Sequence, residues 1–182
     1  MILPEAVDVV VIGSGAGGLS SAVSAGHAGL SVLVVEKADV FGGTTAYSGG
    51  YLWIPGNPQT YSKDDWTPEE KDAARDYCRH ETANLYDAAR VDAFLDAGRE
   101  AVEFFEAKTR VRFLTAPVFS DYHPDAPGGR SGGRSILTAP IDGRELGAEI
   151  VRLRKPLETI TFVGMMFNSS QEVNHFFNAT RS

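Results

Sequence analysis

The chain has 182 residues, 23% of them charged and 43% hydrophobic, with one cysteine and a formal net charge of −7. That length supports one domain with a sizeable core. The acidic balance argues against nucleic acid or an anionic membrane surface as the main partner, since both call for a basic footprint. The lone Cys78 excludes a disulfide scaffold.

The N-terminus, Met1-Ile2-Leu3-Pro4-Glu5, has neither a basic region nor a long apolar run. No signal peptide is expected, and the setting reads as cytoplasmic. No stretch approaches the about 20 apolar residues of a membrane span. The first element is a short apolar strand over Asp8 to Ile12, apolar on both faces, as in a parallel strand covered on each side. A glycine-rich turn, Gly13-Ser14-Gly15-Ala16-Gly17-Gly18, leads into a helix from about Gly17 to Ala28. Ala22, Ala25 and Gly26 let that helix lie close to a sheet, and Gly29 suits a left-handed stop. A second apolar run, Val32 to Val35, ends in Glu36.

From Phe41 to Trp53 the chain is rich in glycine and threonine, and Pro55 to Ser62 reads as loop. Thr67-Pro68-Glu69-Glu70 opens a helix, with threonine as cap and proline in the first turn. A second helix is expected from about Val91 to Glu106, where Val91, Phe94, Leu95, Val102 and Phe105 recur at helical spacing. Val111 to Leu114 suits a short strand, residues 115 to 145 are loop-heavy, and a last helix is expected after Ser170. A doubly wound sheet usually has five or six parallel strands. Only two are placed here, so the chain reads as the front part of a longer protein.

Gly13-x-Gly15-x-x-Gly18 between strand and helix is the first chemical signal. Gly13 permits the tight turn, Gly15 the close approach of a pyrophosphate, and Gly18 close packing of helix on strand. The helix N-terminus supplies free amides for the phosphates. Glu36, at the offset of about 20 residues the motif requires, accepts from a ribose hydroxyl and would repel a 2′-phosphate. Strand, turn, helix, strand and acid together predict a dinucleotide site. They do not choose between FAD and NAD. The segment from Phe41 to Gly50 suits a backbone laid along a second cofactor surface, and it equally suits a solvent loop.

Gly13–Gly18, Val35-Glu36-Lys37, Phe41-Gly42-Gly43-Thr44-Thr45-Ala46-Tyr47-Ser48-Gly49-Gly50 and Leu52-Trp53-Ile54-Pro55 resemble the flavoproteins that include fumarate reductase and 3-ketosteroid Δ1-dehydrogenase. The Gly-Gly-Thr-Thr-Ala-Tyr-Ser and Trp-Ile-Pro stretches are similar to the ketosteroid dehydrogenase branch. The resemblance continues through Asp121-Tyr122-His123-Pro124 and Pro127-Gly128-Gly129. It implies an α/β fold: a Rossmann-like FAD-binding domain with a parallel sheet, incomplete, with added helices and long loops. Residues 1–57 would be the βαβ core and 58–182 a helical and loop extension. It implies FAD contacts from Gly13, Ser14, Gly15, Ala16, Gly17, Gly18, Glu36, Lys37, Gly43, Thr44, Thr45, Ala46, Ser48, Gly49 and Gly50.

No histidine lies between His27 and His80, so a flavin attached through histidine in this region is not expected. FAD would be non-covalent. Tyr122 matches the branch's substrate-facing tyrosine and is the catalytic candidate; His123 stands where that branch often has a second tyrosine. The implied reaction dehydrogenates a carbon–carbon bond next to a carbonyl in a small, 3-ketosteroid-like substrate. The alternatives are a fumarate reductase-type enoate reductase and a non-catalytic dinucleotide-binding module. Arg130 and Arg134 follow glycine pairs and are further anion candidates, although turn arginines are ordinarily solvated. No two histidines stand at i, i+4 and no Cys-x-x-Cys exists, so no metal site is expected.

Overall fold

The computed structural model describes residues 4–162 and 165–166, with side chains through residue 159. The last expected helix, after Ser170, lies outside the described residues. The chain divides into two compact units, Met1–Gly50 with Ile141–Ser182, and Tyr51–Pro140.

In the first unit, strands β1 (Val9–Ile12) and β2 (Val32–Val35) pair in parallel, Val9 opposite Val32 and Ile12 opposite Val35. Helix α1 (Ala16–His27) joins them. Its end follows the glycine rule: Gly29 has φ of 85°, its amide donates to Gly26, and that of Leu30 donates to Ala25. Coverage of both strand faces is not met. Val11, 8% exposed, faces α1, whereas Val10 and Ile12 on the other face are 55% and 87% exposed. Among the described residues α1 is the one α-helix of this unit, and it lies on the Val11 face of the two-stranded sheet.

A parallel bridge between Phe41 and Leu153 adds a later segment to this unit, the Phe41 amide donating to Arg152 and the Arg154 amide to Phe41. Beyond it, β6 (Thr161–Phe162) and β7 (Met165–Met166) form a small antiparallel pair.

The second unit is a three-stranded antiparallel sheet with two helices. Strands β3 (Tyr51–Trp53) and β4 (Phe113–Thr115) flank β5 (Ser135–Thr138). Strand β5 lies inside the loop-heavy stretch of residues 115 to 145, where no strand was expected. Ser135, Ile136 and Leu137 of this central strand, paired on both edges, are all buried. The five residues between the Gly132-Gly133 pair and Ala139-Pro140 carry no alternation by which to recognise it.

Helix α2 (Pro68–Thr82) starts as expected, the Thr67 hydroxyl accepting from the Glu70 amide at 3.3 Å. Thr67→Ala is expected to lower stability by about 1 kcal/mol, with Thr67→Ser close to the parent in urea unfolding. Helix α3 (Ala88–Lys108) begins three residues before Val91, because Asp87 caps it by accepting from the Arg90 amide at 3.1 Å. Leu95, Gly98 and Val102 form its buried stripe, and Phe94 stays partly exposed. Among the described residues no helix is long and apolar enough to cross a membrane.

Candidate functional site

The glycine turn leaves β1 with Gly13 at φ of 97°, a conformation free of cost only to glycine, and the Gly13 amide donates to Val35 at 2.7 Å. Helix α1 then begins at Ala16 behind Gly15, with no side-chain cap and no acid in its first turn. Helical geometry leaves the amides of Ala16, Gly17 and Gly18 without an intrahelical acceptor, at the positive end of the helix dipole. The Ala16 amide donates to Thr45 Oγ1 at 3.0 Å. Those of Gly17 and Gly18 remain for an anion, and a diphosphate suits such a turn.

Glu36 closes the other side. Its Oε2 accepts from the Ser14 amide at 2.9 Å and the Ser14 hydroxyl at 2.5 Å, and its Oε1 from the Ala38 amide at 3.0 Å. These donors, the Ala38 amide foremost, pull its pKa from the ordinary 4.5 down to about 2. A carboxylate has about four acceptor positions, so Oε1 keeps one for a ribose hydroxyl. Lys37 beside it is exposed.

Ser14 is buried, and its Oγ also accepts from the Gly42 amide at 3.1 Å. The amide and the hydroxyl of Ser14 therefore both face protein atoms. The hydroxyl links the glycine turn, the strand-end acid and the second glycine segment.

That second segment lies against the first. Gly43 has φ of 56°, and a Cβ there would stand 3.0 Å from Gly15 Cα. Residues Gly43–Tyr47 make a short 3-10 turn, which carries Thr44, Thr45 and Ala46. Ser48 donates to the Thr45 carbonyl at 2.9 Å and accepts from the Gly50 amide at 3.2 Å, with Ser48 and Gly49 exposed. The structure thus brings residues 13–18, Glu36 and 42–47 to one cradle, with free amides, exposed hydroxyls and one carboxylate. The residues present fit a flavin dinucleotide: amides for the pyrophosphate, an acid for the ribose, and a glycine backbone continuing beyond them.

Two members of this arrangement were not among the expected contacts. Gly42 carries the link to Ser14. Arg154 holds the 3-10 turn from outside, donating to Tyr47 Oη at 3.0 Å with its guanidinium 5.4 Å from the Tyr47 ring centre. Gly42 stands in the same glycine run and was open to notice; Arg154 is more than a hundred residues away and had no local signal.

Tyr122 belongs to the second unit and is 88% exposed. The solvated state expected of the arginines is corrected by Arg134, which is fully buried with Nη1 2.9 Å from Asp121 Oδ2. Its acid partner and the rings of Trp53 and Tyr77 replace water around it. Arg130 is partly exposed and pairs with Glu70. Cys78 is half-buried, and burial raises its thiol pKa, which disfavours the nucleophilic thiolate.

The model of the FAD binding domain family matches residues 8–178. The chain is 45% identical over 146 residues to a 3-oxosteroid 1-dehydrogenase of Mycobacterium tuberculosis (strain ATCC 25618 / H37Rv), covering 80% of this chain and 26% of that protein. It is 40% identical over 177 residues to a 4-oxocyclohex-2-ene-1-carboxylate 5-dehydrogenase of Sinomonas cyclohexanicum, covering 97% of this chain and 29% of that protein. Its structure matches the crystal structure of 3-ketosteroid delta1-dehydrogenase from Sterolibacterium denitrificans in complex with 1,4-androstadiene-3,17-dione. The TM-score is 0.79 at 36% identity, covering 90% of this chain and 28% of that one. The chain spans about a quarter of the length of the curated relatives it matches.

Proposed function

This chain belongs to the FAD binding domain family, and from that premise we propose that it supplies the nucleotide-binding portion of a flavin-dependent dehydrogenase acting on a 3-ketosteroid-like substrate. The observation that carries the cofactor half is the fold of 42–47 onto 13–18, with Thr45 Oγ1 on the Ala16 amide and Gly43 against Gly15. The substrate half is supported by the likeness to the oxosteroid and oxocyclohexene dehydrogenases.

In this reading the turn from Gly13 to Gly18 places the pyrophosphate on the amides of Gly17 and Gly18, and Glu36 holds the ribose. Thr44, Thr45, Ala46, Ser48, Gly49 and Gly50 continue along the cofactor, and Lys37 flanks its adenosine end. FAD, bound without a covalent link, supplies the hydride acceptor that the protein cannot supply itself. Tyr122 offers a phenolic hydroxyl toward substrate and assists removal of a proton made acidic by the neighbouring carbonyl. The substrate class is a ring ketone with a saturated bond beside the carbonyl.

The test is a visible absorption spectrum of the purified chain with and without added FAD. Uptake of flavin with a perturbed spectrum is expected; tight NAD binding without flavin uptake overturns the proposal. Glu36→Gln removes the charge and one acceptor where Ser14 and Ala38 converge, and FAD affinity is expected to fall at least about tenfold. Because the folded pKa is depressed, Glu36 stays ionised in the folded chain until pH approaches about 2, while its contribution to folding stability is lost as pH falls from 4.5 through about 2. FAD affinity should therefore be level from about pH 5 to 8 on account of this group. A titration step near neutrality that disappears in Glu36→Gln would contradict that.

A further inference from the structure

The residues on either side of Tyr122 are held far more tightly than Tyr122 itself. Asp121 is buried, and its carboxylate takes three donors. Oδ1 accepts from Trp53 Nε1 at 2.7 Å; Oδ2 accepts from Arg134 Nη1 at 2.9 Å and from the Arg130 amide at 2.9 Å. The Asp121 amide donates to the Arg130 carbonyl at 2.9 Å.

On the other side, the His123 amide donates to Tyr77 Oη at 3.3 Å, and His123 Nδ1 stands 2.9 Å from both oxygens of Glu81. The chain then turns, the Ala126 amide donating to the His123 carbonyl at 3.1 Å. Arg134 closes the loop from below, donating to the Gly128 carbonyl at 2.7 Å. Gly128 and Gly129 leave no room for a side chain, a Cβ falling 2.0 Å from the Ala73 carbonyl oxygen and 2.5 Å from that of Pro124.

We infer that Asp121, Arg134, Trp53 and Tyr77 are positioning residues for Tyr122: together they fix its main chain from both sides while its ring stands free. This rests on the reading of Tyr122 as the substrate-facing tyrosine. A buried ion pair is a poor source of stability, since well-packed apolar groups of the same volume often do as well. What it adds is direction. Arg134 also keeps Nε and Nη2 buried without hydrogen-bond partners, against the rings of Trp53 and Tyr77. Apolar packing of its own ring cannot orient Tyr122, because that ring is exposed. Its placement must come from its neighbours, and a misplacement of about 1 Å in such a group can lower a rate about a hundredfold.

The test uses two mild variants. Trp53→Phe keeps an aromatic ring and deletes the donor to Asp121 Oδ1 together with part of the indole that packs on Arg134; Asp121→Asn keeps the shape, deletes the charge and turns one acceptor oxygen into an amide donor. 3-Fluorotyrosine placed at position 122 reports order by its fluorine NMR line. One narrow line is expected in the parent chain, and a broadened or split line in both variants. At the full length of the relatives, with 4-androstene-3,17-dione and a dye acceptor, Trp53→Phe should lower kcat about tenfold and change KM less than about twofold. Tyr122→Phe should lower kcat too, and the two losses should not add. A fluorine line blind to both variants overturns the positioning claim. So does an altered line with full kcat in a protein that Tyr122→Phe impairs. Full turnover in Tyr122→Phe overturns instead the catalytic reading beneath it.

Discussion

Gly18→Ala is expected to cost this chain its flavin affinity, although alanine is the better helix former. A Cβ at Gly18 would fall 2.0 Å from the Gly13 carbonyl oxygen and 2.9 Å from its carbon, both backbone atoms that cannot rotate away. Either α1 lifts from β1 or the Gly13 turn shifts, and both displace the amides of Gly17 and Gly18. Overpacking of this kind costs about 1–3 kcal/mol in stability. The larger effect falls on binding, because the anion site consists of those amides; a loss of FAD affinity beyond about a hundredfold is expected. Gly26→Ala supplies the contrast in the same helix. Nothing lies within 4 Å of a Cβ there, so relief of glycine's entropy should raise stability by about 0.5–1 kcal/mol. Urea unfolding of the two variants should therefore move in opposite directions, and flavin titration should fall only in Gly18→Ala. Retained affinity in Gly18→Ala would mean that the turn is not the pyrophosphate site.

The contrast between those glycines shows which parts of the molecule are legible in sequence. Gly13, Gly18, Gly29 and the Thr67 cap act within a few residues of themselves, and local chemistry announces them. Asp87 had such a signal too, but the apolar spacing from Val91 drew the helix start too late. The pairing of β3 with β5 puts Trp53 opposite Ser135, and nothing near either residue encodes that register. Arg134 is the sharpest case. A glycine-flanked arginine reads as solvated until the sheet places Trp53 and Asp121 beside it. Likewise, Thr45 on the Ala16 amide turns a loop of ambiguous composition into one wall of a cradle. The resemblance pointed to that wall, but residue composition alone did not.

Arg134→Met should produce the largest stability loss in the second unit, about 3–5 kcal/mol. Methionine fills much of the arginine stem's volume, so the loss does not come mainly from a cavity. It comes from Asp121, whose side chain is 1% exposed and would be left buried without the cation that faces it. Trp53 Nε1 and the Arg130 amide still donate to that carboxylate, but two dipoles do not replace a guanidinium at 2.9 Å. A domain is stable by only about 5–15 kcal/mol in all, so the single variant should approach the unfolding threshold. Adding Asp121→Asn neutralises the stranded charge while Trp53 keeps an acceptor. The double variant should then recover part of the loss, and a thermodynamic cycle should show strong coupling between the two positions. Additive losses would mean that shape, not charge, holds the loop. Recovery of stability without recovery of a narrow Tyr122 signal would separate the two things this ion pair does, because folding needs only neutrality there, whereas orientation of the tyrosine needs the directed bonds.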